Sequence, residues 1–144
     1  MYSASAQDVD TAVAAARKAS KAPSWRDLPS TGRGNLMLTL ASLLDKHAET
    51  IATLETWDNG KSYSVASSED VAEVSGTLRY YGGYADKIHG QVINTSPDNL
   101  ACTLSEPVGV CGQVIPFNFP LAMAARKLGR ALACGNTVVF KAAE

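Results

Sequence analysis

A chain of 144 residues, 46% hydrophobic and 19% charged, holds enough apolar material for one domain with its own core and has an ordinary soluble balance, with no apolar stretch that approaches a membrane span. Thirteen Lys and Arg stand against fourteen Asp and Glu, a net charge of -1, so nucleic acid and anionic membrane surfaces have no electrostatic basis as partners. No basic start precedes a long apolar run, and Asp8 and Asp10 come before the first arginine, so neither a secretory signal nor a transit peptide is expected and the expected location is cytoplasmic. Three cysteines, Cys102, Cys111 and Cys134, are an odd number at wide spacing, which excludes a disulfide framework and a zinc cluster. Cys111 in a buried strand and Cys134 at the end of an apolar helix read as small hydrophobes, since no histidine or other base flanks them.

In chain order, Ser5-Ala6-Gln7-Asp8 fits a capping box, and Val9, Ala12, Val13 and Ala16 follow at helical spacing, predicting a first helix to about Ala19. Pro23 and Pro29 punctuate its exit, with Trp25 between them expected to pack against a helix. Leu36, Leu40, Leu43, Leu44 and His47 share one face of a helix from about Gly32. His47 is expected as a hydrogen-bonded core residue, because no second metal ligand recurs at ligand spacing. A third helix carries Ile51 and Leu54 and stops at Asn59-Gly60, a pair suited to a left-handed terminus. Gly60-Lys61-Ser62 is not a phosphate-binding loop, since Glu55 stands where that motif needs glycine. Val71, Val74, Leu78, Ala85 and Ile88 predict a fourth, longer helix, bent or weakened midway by Gly82 and Gly83. Tyr80, Tyr81 and Tyr84 on it read as packing.

After Gly90 the pattern turns to strands. Residues 91–93 and 100–104, joined by turn formers from Asn94 to Asn99, predict a hairpin. Val108, Val110, Val114 and Ile115 predict a strand buried on both faces and ended by Pro116. Phe117-Asn118-Phe119-Pro120 form a turn, and a helix follows on Leu121, Ala125, Leu128 and Leu132, with Arg126, Lys127 and Arg130 off that stripe. Gly135-Asn136 cap it, and Thr137 to Phe140 resume as a strand, a right-handed parallel crossover. The fold class is therefore α/β: N-terminal helices, a β-hairpin, then the first βαβ unit of a Rossmann-like parallel sheet. Ligands of such sheets bind outside the carboxyl ends of the strands, so Asn118, Lys141 and Glu144 fall on one rim. An amide, an ammonium and a carboxylate there can hold an oxyanion and a polyhydroxylated cofactor; the alternative is a solvated loop.

The run from Glu106 to Pro120, EPVGVCGQVIPFNFP, with GNTVVFKAAE at 135–144, Asp58-Asn59-Gly60-Lys61 and the stretch from Tyr84 to Gly90, resembles the NAD(P)-dependent aldehyde dehydrogenases. The resemblance spans nearly the whole chain and covers only the N-terminal portion of such an enzyme. It implies a partial cofactor-binding domain over 1–144, with the hairpin at 91–105 similar to the family's subunit-bridging arm and a homo-oligomeric complete enzyme. The implied activity is oxidation of an aldehyde substrate to a carboxylate. Asn118 matches the asparagine that donates to the oxygen of the thiohemiacetal, and Lys141 and Glu144 match the residues that hold the adenosine ribose. Ile115, Pro116 and Phe117 fall on the cofactor-binding wall. A carboxylate at Glu144 would repel a ribose 2′-phosphate, so NAD is expected over NADP, and no metal.

Phe117 stands where the family more often has tryptophan, and Ala142 replaces a frequent proline, which loosens the backbone that aims Glu144. The Gly-x-Gly-x-x-Gly fingerprint is missing, but the family positions its cofactor by a different loop. Its catalytic cysteine and general-base glutamate match nothing here, so the isolated chain is expected to oxidise no aldehyde. Two other readings are a non-catalytic interaction module pairing with full-length subunits through the hairpin near Leu100 to Leu104, and an α/β domain for another nucleotide. Open strand edges and apolar surface predict that the chain alone is prone to aggregate.

Overall fold

The computed structural model describes residues 3–143, so Glu144 lies outside the described residues. Helix α1 (Ala6–Lys21) opens with the expected capping box: the Asp8 N–H donates to Ser5 Oγ at 3.3 Å and the Ser5 N–H donates back to Asp8 at 2.8 Å. The one-turn α2 (Pro23–Arg26) carries Trp25, whose indole N–H donates to the Gly135 carbonyl at 3.0 Å. That bond ties the Pro23–Pro29 connection to the far end of a later helix.

Helix α3 (Ser30–Lys46) turns at His47 into α4 (Ala48–Asn59), which ends on Gly60 at φ 76, the left-handed terminus expected of Asn-Gly. The short α5 (Tyr63–Val65), capped by Ser62, passes through a π-helical turn at Ala66–Asp70 into α6 (Val71–Tyr84). Helix α6 stops before Ile88, so Gly82 and Gly83 fall in its last turn rather than midway. Gly82 marks the crossing with α3: a Cβ on Gly34 would stand 2.5 Å from the Gly82 carbonyl oxygen, so the two backbones meet only because Gly34 has no side chain.

That crossing turns most of the expected face of α3 outward, leaving Leu44 as the one leucine of that face packed against the core. Its buried residues are Gly34, Met37 and Ala41, whereas Leu36, Leu40 and Leu43 are 57%, 43% and 49% exposed. The leucine stripe is the stronger periodic signal, but the small-residue stripe admits closer approach of α6 and wins the contact. His47 is likewise exposed at the α3–α4 corner rather than in the core.

The hairpin forms as β1 (Val92–Ile93) against β2 (Ala101–Cys102), antiparallel, with Val92 opposite Cys102. Then β3 (Val110–Val114), α7 (Pro120–Ala133) and β4 (Thr137–Lys141) make the parallel crossover, in register from Val110–Thr137 to Val114–Lys141. Gly135 at φ 81 and buried Asn136 close α7: the Asn136 carboxamide donates to Ala131 O at 3.2 Å and accepts from the Gly109 N–H at 2.9 Å. The Thr137 hydroxyl donates to Ala16 O at 3.0 Å, fixing the sheet to α1.

The core lies where α3, α6 and α7 meet, around Ala41, Val74, Leu78, Ala122 and Ala125. Tyr81 packs beside a second group formed by Met37, Ala85 and Ala133, while Tyr80 and Tyr84 stack on each other at 6.0 Å and stay exposed. The strand expected to be buried on both faces is not: Val108 and Val114 are 89% and 70% exposed. With two strands in the described sheet, each strand keeps an unpaired edge and part of a bare face. Cys111 is half-buried and Cys134 is exposed, one position past the buried Ala133, so only the first behaves as the small hydrophobe expected.

Candidate functional site

The tips of β3 and β4 are locked together. Ile115 is 2% exposed, and its N–H donates to the Lys141 carbonyl at 3.0 Å, extending the ladder past the last paired strand residue. The chain then turns outward. Pro116, Phe117 and Asn118 are exposed, and Pro120 begins α7, where a missing N–H costs nothing. The Asn118 carboxamide hydrogen-bonds no described group, so both its N–H donors remain available. Lys141 is exposed, with its ammonium folded onto the Ala142 carbonyl at 2.6 Å. Of the residues assigned to the rim, Ile115 and Lys141 therefore touch, Pro116, Phe117 and Asn118 lead off from the same tip, and Glu144 lies outside the described residues.

Beneath these tips opens a cleft of about 930 Å³, lined by Ile115, Phe117, Phe140 and Ala142 from the sheet and by Leu44 and Leu54 from α3 and α4. Its apolar wall with a few polar groups is the usual make-up of a small-molecule site. A smaller hollow of about 450 Å³ between α6 and α7 faces two guanidiniums that are already engaged, Arg126 by Glu73 and Arg130 by the Tyr81 hydroxyl. Among the described residues no group of three or more His, Cys, Asp or Glu is placed to hold a metal ion, and no helix is long and apolar enough to cross a membrane.

One group of charged residues at this site escapes the sequence. The Lys61 ammonium pairs with Asp70 and stands 4.0 Å from Glu55, with the side chains of these three only 16%, 3% and 6% exposed. The same ammonium lies 4.1 Å from the centre of the Phe119 ring, in the turn that carries Asn118. Asn59 stitches the corner: its Nδ2 donates to Glu55 at 3.2 Å and its Oδ1 accepts from the Lys61 N–H at 3.0 Å. The partners sit six positions before and nine after Lys61, a spacing with no sequence signature, because the π-helical turn at Ala66–Asp70 sets where Asp70 points.

Burial holds the Glu55 carboxyl above its ordinary value, the Asp70 charge pushes it further, and Lys61 offsets part of the rise. A carboxyl whose folded value is raised binds more protons folded than unfolded. The stability it contributes is present below the unfolded value and is lost as pH rises through the folded one. Glu55→Gln is therefore expected to gain on the natural chain as pH rises above the ordinary glutamate range, read as urea midpoints at a series of pH values. A constant difference between the two would show that Glu55 keeps its ordinary proton affinity.

The description "Aldehyde dehydrogenase family" matches the chain over residues 1–144. An aldehyde dehydrogenase of Aspergillus niger is 54% identical over 144 residues, which is 100% of this chain and 29% of that protein. The NAD+ complex of an aldehyde dehydrogenase from Bacillus cereus superposes with a TM-score of 0.91 at 46% identity, covering 93% of this chain and 27% of the other. The aldehyde dehydrogenase KauB from Pseudomonas aeruginosa gives 0.92 at 40% identity over 95% of this chain and 28% of its own. The chain thus spans under a third of the length of each of these relatives. Sequence match from end to end and a fold shared at these identities put this chain in the aldehyde dehydrogenase family.

Proposed function

We propose that this chain carries the cofactor-side wall and the oxyanion donor of an NAD-dependent aldehyde-oxidising site. The observation that supports this most directly is the Asn118 carboxamide, free of any described partner, on the turn leading from a strand tip bonded to Lys141. A neutral amide can donate an N–H to negative charge developing on the aldehyde oxygen without a proton equilibrium of its own. Lys141 would donate to a ribose hydroxyl and Glu144 would accept from one, while Ile115, Pro116 and Phe117 wall the nucleotide in. A carboxylate at that position disfavours a 2′-phosphate, which supports NAD over NADP. When bound, NAD supplies the acceptor for the electrons leaving the aldehyde carbon. The exposed ammonium, the small residues Ala142 and Ala143 and the open apolar cleft suit such a nucleotide.

The hairpin, with Val92, Leu100 and Leu104 exposed at 79%, 83% and 82%, suits an arm that pairs with a second subunit of a homo-oligomer. Alone, the purified chain is expected to produce no NADH from acetaldehyde, because no described residue matches the family's catalytic cysteine or general-base glutamate; steady NADH formation would contradict this. The cofactor assignment is tested in the Aspergillus niger enzyme carrying this chain in place of its matching segment. There Lys141→Ala should raise the NAD dissociation constant by about tenfold, the worth of one hydrogen bond to a charged group. An unchanged constant would remove Lys141 from the nucleotide site.

A further inference from the structure

We propose that Lys61, clamped between Glu55 and Asp70, is a positioning residue for Asn118, acting through the Phe119 ring; this rests on Asn118 being the oxyanion donor. The other ion pairs described in this chain, Arg26–Asp27, Arg79–Asp45, Lys87–Asp86 and Arg126–Glu73, are all solvent-facing, their side chains 37% to 61% exposed. The Lys61 group is the buried one, and it sits against the turn that carries Asn118. A buried ionic cluster is a poor stabilising device, since apolar residues of the same volume usually do as well, but it fixes geometry: a charge with two partners tolerates little displacement.

The turn needs such a fixture. Phe119, the residue before α7, provides no side-chain cap, and Phe117 and Asn118 point into solvent. Its inward attachments are the Phe119 ring beneath Lys61 and the packing of Leu121 against Ala52, Ala66 and Val71. Helix α4 and the π-helical turn thereby hold this segment at two points. One is the start of α7, where Leu121 packs and its backbone bonds to Glu55. The other is the turn itself, where the Lys61 ammonium meets the Phe119 ring next to the amide that must meet the developing charge.

The test uses the Aspergillus niger enzyme carrying this chain as its matching segment. Lys61→Met should lower kcat roughly thirtyfold, since small misplacements of a transition-state contact cost up to about a hundredfold, while the NAD dissociation constant stays within about twofold. Lys61→Arg, which keeps the charge, should recover most of the loss. In an Asn118→Ala background Lys61→Met should add less than about twofold, because its effect passes through the missing amide. Full additivity in that background would overturn the proposal. If Asn118→Ala itself leaves kcat unchanged, the oxyanion assignment fails instead, and the positioning claim is decided by crystal structures of the same enzyme and its Lys61 variants. The Asn118 carboxamide should hold one orientation in the unsubstituted enzyme and in Lys61→Arg, and be displaced or split over conformers in Lys61→Met; an identical placement in all three would overturn the claim. Should Lys61→Met fail to fold, Phe119→Leu removes only the ring contact and is expected to give the same pattern, and a normal kcat in that variant would count against it.

Discussion

Asn118→Ala, made in the Aspergillus niger enzyme with this chain as its matching segment, is expected to lower kcat by about 10²–10³-fold while the aldehyde KM changes by less than about threefold. The split follows from when the bond is made. An aldehyde carbonyl is a modest acceptor, whereas the oxygen that forms as a nucleophile adds carries nearly a full charge, so an amide N–H aimed at the second position contributes mainly to the barrier. The Asn118 side chain suits this role because nothing described competes for it: a carboxamide already bonded to backbone would have to break that bond before it could donate. Asn118→Asp separates charge stabilisation from mere bulk. It matches the shape but presents an acceptor to an anion, so it should fall at or below the alanine level, and a variant retaining natural kcat would show that the residue fills space only.

The elements around the candidate site are largely legible in the sequence, because most of them depend on short-range rules. The Ser5–Asp8 box, the left-handed Gly60 and Gly135 and Pro120 opening α7 all follow from residues within a few positions of each other, and the parallel crossover follows from the order strand, helix, strand. The failures are long-range. The face that α3 buries is decided by the bare backbone at Gly34 meeting Gly82, a contact across 48 positions that no periodicity carries, and it turned Leu36, Leu40 and Leu43 outward. The Lys61 group is hidden for the same reason. Glu55, Lys61 and Asp70 look like three unrelated surface charges until the π-helical turn rotates Asp70 inward. Asn59 and Gly60 point to the helix terminus they form, yet that terminus also swings Lys61 over Phe119. Strand burial was overestimated because an apolar run states only what a strand could bury, while what it does bury depends on neighbours on either side.

At micromolar concentration the natural chain alone is expected to sediment as a heterogeneous mixture of associated species and to bind the dye ANS, whereas the triple variant Leu36→Gln, Leu40→Gln, Leu43→Gln should return at least half of the material to monomer. Two surfaces compete as the cause. The outer edges of β3 and β4 present backbone N–H and C=O groups at alternate residues, a template for strand pairing, although the Val114 carbonyl already accepts from the Lys127 ammonium at 2.6 Å. The α3 leucines form a row, each about half exposed, that could bury an additional ~1 kcal/mol apiece on contact with a second molecule. Strand pairing on short edges is weakened by Gly112 in the middle of β3, which has no side chain to pack across a new interface. The leucine row has no such interruption, and α3 is long enough to present it as one continuous stripe, so the non-directional apolar contact should dominate. If the glutamine variant associates as strongly as the natural chain, the strand edges are responsible, and Val114→Lys on β3 should then be the substitution that disperses it. A natural chain that runs as a single monomer and melts sharply and reversibly would mean that neither surface is sticky, and that the core around Ala41, Val74 and Leu78 suffices without further partners.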